Sequence, residues 1–355
     1  MAEETFNLSE LVIPGTYIRV RAEGLISVGG ISTGNIGIVG TSGTGVGQTH
    51  ILSDYEGAKV VLGEYGAGEF NLTRAIELLY QNGARTVFAR ALAANAAGQD
   101  DYIAAFNELA KDDVNILVAP QLSTDAAKAV FGTVLDTGQS NNRDMMAVIG
   151  SNASTVATIT AQVPTNPRII LTAPGIRAFD GAADQEVTLS GTYSAAAVAG
   201  LLSTLAPQSS PTNKVLAGVV KLAQRFSYGE LRELVNGRVM VLEERQGVRV
   251  VRGLTTDNGA FKQVTTRRTV DFAKAGIRQA SNPFIGRLNN QRVRKALQGA
   301  IDGFLTTMVS DEALIGYALE VTASRADEIA GRALVNVVLQ PTFSIDFVAV
   351  TMVLE

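Results

Sequence analysis

The sequence predicts an α/β fold, mixed in character, in which a sheet carries helices on both faces and an extended strand lies near each end of the chain. Short, largely apolar segments recur along the chain, and segments with a helical period separate them. Strands that are apolar on both sides are typical of a sheet buried between two helical layers. The end strands are predicted from a different pattern, a strict alternation of side chains.

The central layer follows from these segments in chain order. Strands are expected at Asn35–Gly40, Thr86–Arg90, Val114–Ala119, Met145–Ile149, Arg168–Thr172, Gly237–Val241, Val248–Arg252 and Leu334–Leu339. Helices are expected at Asn71–Asn82, Tyr102–Ala110, Asp125–Thr137, Ser194–Leu205, Val264–Gln279 and Asn289–Met308. This alternation of strand and helix indicates an α/β layer.

The two alternating end segments have no hairpin partner beside them in the sequence. The N-terminal segment follows Pro14-Gly15 and consists of Tyr17, Ile18, Arg19, Val20 and Arg21. The C-terminal segment begins at Phe343 and includes Ile345, Phe347, Val348, Val350 and Met352, with apolar residues on both faces toward its end. An unpaired strand invites aggregation. Each segment therefore either joins its own sheet or extends the sheet of a neighbouring molecule.

Residue counts exclude several kinds of active site. The chain of 355 residues has no cysteine and a single histidine, His50. Disulfides, thiolate metal sites and cysteine nucleophiles are thus excluded, and counting nearly excludes a Ser-His-Asp triad or a multi-histidine metal site. We expect no catalytic residue, no metal and no cofactor. The length fits two or three domains, or one core with insertions.

Charge and hydropathy limit the partners. The net charge of −4 argues against general nucleic-acid binding. The first fifteen residues lack the basic start and apolar core of a secretory signal, and no run of 18 apolar residues could cross a membrane. Only 18% of residues are charged, which is explained if much of the surface meets other protein.

The glycine-rich loop Gly40–Gly47 follows an expected strand, as a phosphate-binding loop would. It lacks the closing Gly-Lys-Ser/Thr, and Gln48 stands where a dinucleotide fingerprint needs its third glycine. The residues after it, His50-Ile51-Leu52, look extended rather than helical. A flexible loop or tight turn is the favoured interpretation, and a nucleotide-binding enzyme stays an alternative.

A basic cluster stands out in the second half of the chain. Between Lys262 and Lys295 the only acidic residue is Asp271. The nine basic residues are Lys262, Arg267, Arg268, Lys274, Arg278, Arg287, Arg292, Arg294 and Lys295. The cluster is either a solvated helix face or a docking surface for an acidic partner. Few aromatic residues are interleaved, which disfavours a nucleic-acid groove.

Several short motifs resemble, in order and spacing, those of contractile tail sheath proteins, which occur in contractile phages, R-type tailocins and extracellular contractile injection systems. They include Pro14-Gly15-Thr16-Tyr17-Ile18, Asn82–Val87, Val114–Pro120, Thr266-Arg267-Arg268 and Gly331–Val337. The resemblance covers most of the chain, although it is poor around Pro207–Ala217. Longer members carry an inserted domain after the strand near Arg90, so this chain resembles a compact member.

The resemblance implies a structural subunit, not an enzyme. Such subunits polymerise as stacked hexameric rings around an inner tube and contract to drive the tube through a target cell envelope. The implied partners are other copies of the chain, the inner tube protein, and baseplate and tail terminator or cap proteins. Nucleic acid and direct membrane insertion are not implied. Assembly in the bacterial cytoplasm is implied, as part of a virion tail or a released particle.

The resemblance also implies a division of the chain. Residues 1–23 and 340–355 would be arms that pair with neighbouring subunits, through the two alternating segments. Residues 24–205 would form the outer α/β core, and residues 206–339 a C-terminal domain facing the inner tube. The docking residues on the tube would be Arg287, Arg292, Arg294 and Lys295. A different self-assembling shell protein stays a further alternative.

Overall fold

The computed structural model describes residues 30–93 and 97–353. Its strands are β1 (Ile36–Thr41), β2 (Thr49–Leu52), β3 (Val87–Leu92), β4 (Ile116–Val118), β5 (Met146–Gly150), β6 (Ile169–Ala173), β7 (Ile176–Asp180), β8 (Gln185–Leu189), β9 (Lys221–Leu222), β10 (Met240–Glu244), β11 (Val248–Val250), β12 (Leu314–Thr322) and β13 (Leu334–Pro341). Its helices are α1 (Tyr55–Leu62), α2 (Leu72–Gln81), α3 (Gln99–Leu109), α4 (Thr124–Ser140), α5 (Val156–Ala161), α6 (Gly191–Thr204), α7 (Tyr228–Asn236), α8 (Val264–Ser281), α9 (Gln291–Ser310) and α10 (Arg325–Ile329).

An eight-stranded sheet forms the centre, in the order β11-β10-β6-β5-β4-β1-β3-β2. Its inner strands run parallel, whereas the edge strands β2 and β11 are antiparallel to their neighbours. The chain passes from β1 outward to β3 and then back past β1 to β4. The strand order therefore reverses between β1 and β4, where doubly wound sheets commonly bind ligands.

Helices cover both faces of this sheet, as predicted. Ile36 and Ile38 of β1 face a core formed with α1, α2 and α6, whereas Val39 faces a second core formed with α3, α4, α5 and α7. Helix α6 is buried along most of its length. At Gly200 a Cβ atom would lie 2.6 Å from the Leu79 carbonyl oxygen, so only glycine lets α6 pack this closely on α2.

The last part of the chain forms a smaller unit, here called the C-terminal module (residues 264–341). Helices α8 and α9 pack on an antiparallel ribbon of β12 and β13. Its apolar core includes Leu297, Ile301, Phe304 and Met308. A separate three-stranded sheet, β8-β7-β9, is formed by strands between Ile176 and Leu222. Strands β10 and β11 belong to the eight-stranded sheet, so that layer continues beyond residue 205 to Val250.

Candidate assembly surfaces

The C-terminal tail, residues 342–353, carries a run of highly exposed apolar side chains. Within the described residues it forms no strand. Its six predicted arm residues are between 60% and 86% exposed: Phe343, Ile345, Phe347, Val348, Val350 and Met352. An apolar segment of this kind, left without a partner, marks a contact surface for another protein. The predicted N-terminal arm residues, Tyr17, Ile18, Arg19, Val20 and Arg21, lie outside the described residues.

The base of the tail is held on its own subunit. The Thr342 amide donates to the Ala313 carbonyl oxygen at 3.2 Å. Farther along, Arg252 Nε donates to Asp346 Oδ2 at 2.7 Å, and the Ser344 hydroxyl donates to Asp346 Oδ1 at 3.1 Å. The tail is thus attached at Thr342 and Asp346, the first and the fifth of its residues.

The β12–β13 ribbon offers two free edges. Tyr317, Leu319 and Val337 pack on the module's helices, so one face of the ribbon is covered. Among the described residues each strand pairs only with the other, so no further strand covers the outer edge of either one. Ile315 and Val338 on the ribbon are also exposed. A ribbon of this kind can accept an added strand along either edge.

Four of the nine basic residues in the cluster, all on α8, contact other groups of the same chain. Lys274 Nζ and Arg278 Nη1 contact the two oxygens of Asp144 at 2.5 and 2.8 Å, and Arg267 Nη2 contacts Asp271 Oδ1 at 2.5 Å. Arg268 is buried and donates to the Leu205 carbonyl oxygen at 2.9 Å. Lys274, Arg278 and Arg268 therefore attach the C-terminal module to the rest of the same chain, whereas Arg267 pairs within α8.

Two of these groups have shifted pKa values. Burial by itself raises the pKa of Asp144, but the hydrogen bonds from Lys274 and Arg278 and the charge of Arg168 outweigh it, so the pKa lies below its ordinary value. Burial lowers the pKa of Arg268 to about 10. Both groups stay charged at neutral pH, so the attachment is ionic.

Lys262 lies just before α8, and the other four basic residues lie at the start of α9 and in the loop before it. Arg287, Arg292 and Lys295 are exposed. Arg294 is mostly buried and its Nη1 contacts Glu328 Oε1 at 3.0 Å. The loop also exposes two large apolar residues, Ile285 and Leu288. We call Ile285, Arg287, Leu288, Arg292 and Lys295 the loop surface; it combines positive charge with apolar contact area.

The glycine-rich loop does not have the geometry of a phosphate site. It leads into strand β2, whereas a phosphate-binding loop leads directly into the N-terminus of a helix. At the switch point beside it, Gln121 Nε2 donates to Thr41 Oγ1 at 2.6 Å and to the Phe70 carbonyl oxygen at 3.0 Å, so this amide is already engaged by the protein. His50 Nε2 lies 3.2 Å from the Gly45 carbonyl oxygen, which places this side chain in the turn. The nucleotide-binding alternative is not favoured.

Metal sites and membrane-spanning helices can be assessed for residues 30–93 and 97–353, the part of the chain that the structure describes. No group of three or more His, Asp or Glu side chains there is arranged to hold a metal ion. No helix there is long and apolar enough to cross a membrane.

The fold, with its exposed apolar tail and the edge strands of its ribbon, is that of a structural protein. Two family models match the sequence: the phage tail sheath protein central domain over residues 95–256 and the phage tail sheath C-terminal domain over residues 256–355. The chain belongs to the contractile tail sheath family and is a structural subunit of a contractile sheath, not an enzyme. No curated protein matches it in sequence.

Solved structures share the fold over nearly the whole chain. The anti-feeding prophage baseplate, 6-fold symmetrised, contains a chain with a TM-score of 0.77 and 18% identity, covering 97% of this chain and 99% of that one. The helical sheath of the anti-feeding prophage in its contracted state gives 0.75 and 19%, with coverages of 97% and 99%. An extracellular contractile injection system, the PVC sheath complex in its contracted state, gives 0.77 and 17%, with coverages of 97% and 98%.

Proposed function

We propose that this subunit polymerises as stacked rings of six around an inner tube, and that contraction of the sheath drives the tube through a target cell envelope. The observation that carries the proposal is that one chain has both an exposed apolar tail and a two-stranded ribbon with two free edges. Within the described chain the tail pairs with no strand, and no further strand covers either edge of the ribbon. Stacked rings of six are supported by two solved relatives. One comes from a contracted helical sheath and the other from a 6-fold symmetrised baseplate.

The tail of one subunit adds to the ribbon of a neighbour. Each new main-chain hydrogen bond is worth a net of roughly 1 kcal/mol, and burial of the tail's apolar side chains adds to this. Main-chain pairing depends little on side-chain detail, so it persists while the subunits rotate on their linking arms. The N-terminal arm, Tyr17–Arg21, pairs along the ribbon's other edge.

The inner tube lies against the loop surface. Arg287, Arg292 and Lys295 supply positive charge for an acidic tube surface, and Ile285 and Leu288 supply apolar contact. Arg294 acts there by holding α9 to Glu328 of α10. The assembled sheath joins a baseplate at one end and a terminator or cap protein at the other. It assembles in the bacterial cytoplasm and ends as part of a virion tail or a released particle.

A truncation tests the proposal. A chain ending at Asp346 keeps the base of the tail and loses the exposed segment from Phe347 onward. We expect the full chain to sediment as a polymer and the truncated chain to stay a folded monomer with unchanged circular dichroism. A second variant, with Val348, Val350 and Met352 changed to serine, keeps the length and should also assemble poorly. Polymers of normal yield from the truncated chain would refute the proposed role of the tail.

A further inference from the structure

We infer that Arg252 and Asp346 form a tie that fixes the point at which the C-terminal tail leaves its own subunit. Residues up to Asp346 stay on that subunit, and residues from Phe347 onward are donated to the neighbour. The inference rests on the proposed pairing of the tail with another copy of the chain. It assigns a positioning role to two residues, neither of which is in the paired segment.

The tie is built on a firm support. Arg252 follows the edge strand β11, and both of its neighbours are bonded to the main body: the Val251 amide donates to the Val241 carbonyl oxygen at 2.9 Å, and the Gly253 amide donates to Thr212 Oγ1 at 3.1 Å. The backbone at Arg252 is therefore held from both sides.

The carboxylate of Asp346 is nearly enclosed. Its side chain is 7% exposed and that of Arg252 is 21% exposed, so their contact is shielded from water more than a surface ion pair is. Gln263 Nε2 lies 3.5 Å from Asp346 Oδ2, and Ser344 occupies the other oxygen. The guanidinium carbon of Arg252 also lies 5.1 Å from the centre of the Phe347 ring. One arginine thus contacts two consecutive tail residues.

The environment of the tail changes at this point. From Phe343 to Asp346 exposed residues alternate with partly buried ones, so Ser344 and Asp346 face the protein. From Phe347 to Val353 every residue is exposed, and no hydrogen bond joins these residues to the rest of the described chain. The change coincides with the last residue that Arg252 holds by its carboxylate.

The tie controls the reach of the tail. An extended strand of the seven described residues after Asp346 spans roughly 23 Å, whereas release back to Phe343 would extend this to roughly 36 Å. Release would thus add roughly 13 Å to the free segment and remove its fixed starting point. The tie therefore keeps the donated strand short and in one place.

The absence of native cysteine allows a direct test with single spin labels in the unassembled subunit. We place the label at Ile345→Cys, before the end of the tie, or at Val350→Cys, beyond it; both native side chains are exposed. The label at 345 should be restricted and the label at 350 mobile. Arg252→Ala should raise the mobile fraction at 345 by about tenfold and leave that at 350 unchanged, because a hydrogen-bonded charge pair is lost.

Two variants control for indirect effects. Arg245→Ala removes an arginine of the β10–β11 turn that contacts Asn213 Oδ1 at 3.2 Å, and it should change neither label. The exchange Arg252→Asp with Asp346→Arg should restore the restricted signal at 345. Equal mobility at 345 and 350 in the native background, or no effect of Arg252→Ala, would overturn the tie.

Assembly distinguishes this inference from the function on which it rests. We expect Arg252→Ala to polymerise more slowly than the native chain, because ordering a freer tail on the neighbour costs more conformational entropy. Polymerisation of Arg252→Ala at the native rate would reject the positioning role while leaving the sheath intact. A native chain that never polymerises would instead reject the proposed function itself.

Discussion

Arg168 Nη2 contacts Asp144 Oδ1 at 2.7 Å, and both side chains are 5% exposed. Arg168 also contacts Asp271 of α8 at 2.8 Å, and Asp144 receives Lys274 and Arg278 from the same helix. The network therefore joins the eight-stranded sheet to the C-terminal module. The ion-pair network is thus a joint between two parts of the described chain.

Replacing Asp144 should weaken this joint strongly. Asp144→Ala leaves Arg168 buried without its nearest counter-charge, which typically costs about 3 kcal/mol or more. Urea unfolding measures the loss. Asp136→Ala, an exposed aspartate on α4, is the matched control and should change the free energy of unfolding by less than about 0.5 kcal/mol. A loss as small as the control's for Asp144→Ala would show that the network contributes little.

Acid should destabilise the subunit through buried carboxylates. Burial alone would raise the pKa of Asp144 and Asp180, but hydrogen bonds and nearby cations lower both below the ordinary 3.8. A carboxylate with a lowered folded-state pKa contributes stability that is complete above its unfolded pKa and is lost as pH falls through its folded pKa. We expect a level free energy of unfolding above about pH 5 and a decline below about pH 4.

The variant Asp144→Asn identifies one source of that decline. It cannot titrate, so its free energy of unfolding should fall less steeply below the ordinary pKa of 3.8 than that of the native chain. Urea midpoints across the acid range measure both slopes. Parallel slopes would mean that Asp144 has the same pKa in the folded and unfolded states.

Two glycine substitutions in the C-terminal module should have opposite effects. A Cβ atom at Gly276 of α8 would lie 1.9 Å from the Phe304 ring of α9, so Gly276→Ala should destabilise by about 1–3 kcal/mol. At Gly299 of α9 nothing lies within 4 Å of that position, so Gly299→Ala should stabilise the helix by about 0.5–1 kcal/mol. Thermal unfolding compares them. Equal effects would contradict the close packing of α8 on α9.

Charge reversal tests the tube-facing role of the loop surface. Arg287, Arg292 and Lys295 changed together to Glu should weaken co-sedimentation with the inner tube by roughly tenfold, since each exposed ion pair is worth about 0.5 kcal/mol. Lys214, Lys221 and Arg232 are exposed elsewhere, and the same reversal there gives an equal change in net charge. Equal binding by the two triple variants would return the loop surface to an ordinary solvated face.

The sequence predicted the central layer well because buried strands and amphipathic helices have local patterns. Val114–Ala119 contains β4, and Asn71–Asn82 brackets α2 with Asn71 as its N-terminal cap. Strand β12 was not predicted. Gly316 and Ala318 weaken its local signal, and its register shifts between Leu314 and Gly316.

The basic cluster shows what local patterns cannot predict. Lys274 and Arg278 looked like part of a surface because only Asp271 lies near them in sequence. Their partner Asp144 lies 130 residues before Lys274 and comes close only through folding. The tie between Arg252 and Asp346 was missed for the same reason, since it joins residues 94 apart.

Electron microscopy of the purified 355-residue chain is the most direct test of assembly. We expect hollow helical tubes with sixfold symmetry, in which the tail of each subunit continues the β12–β13 ribbon of a neighbour. A chain that stays monomeric across concentration and salt, or tubes in which each tail remains on its own subunit, would contradict it.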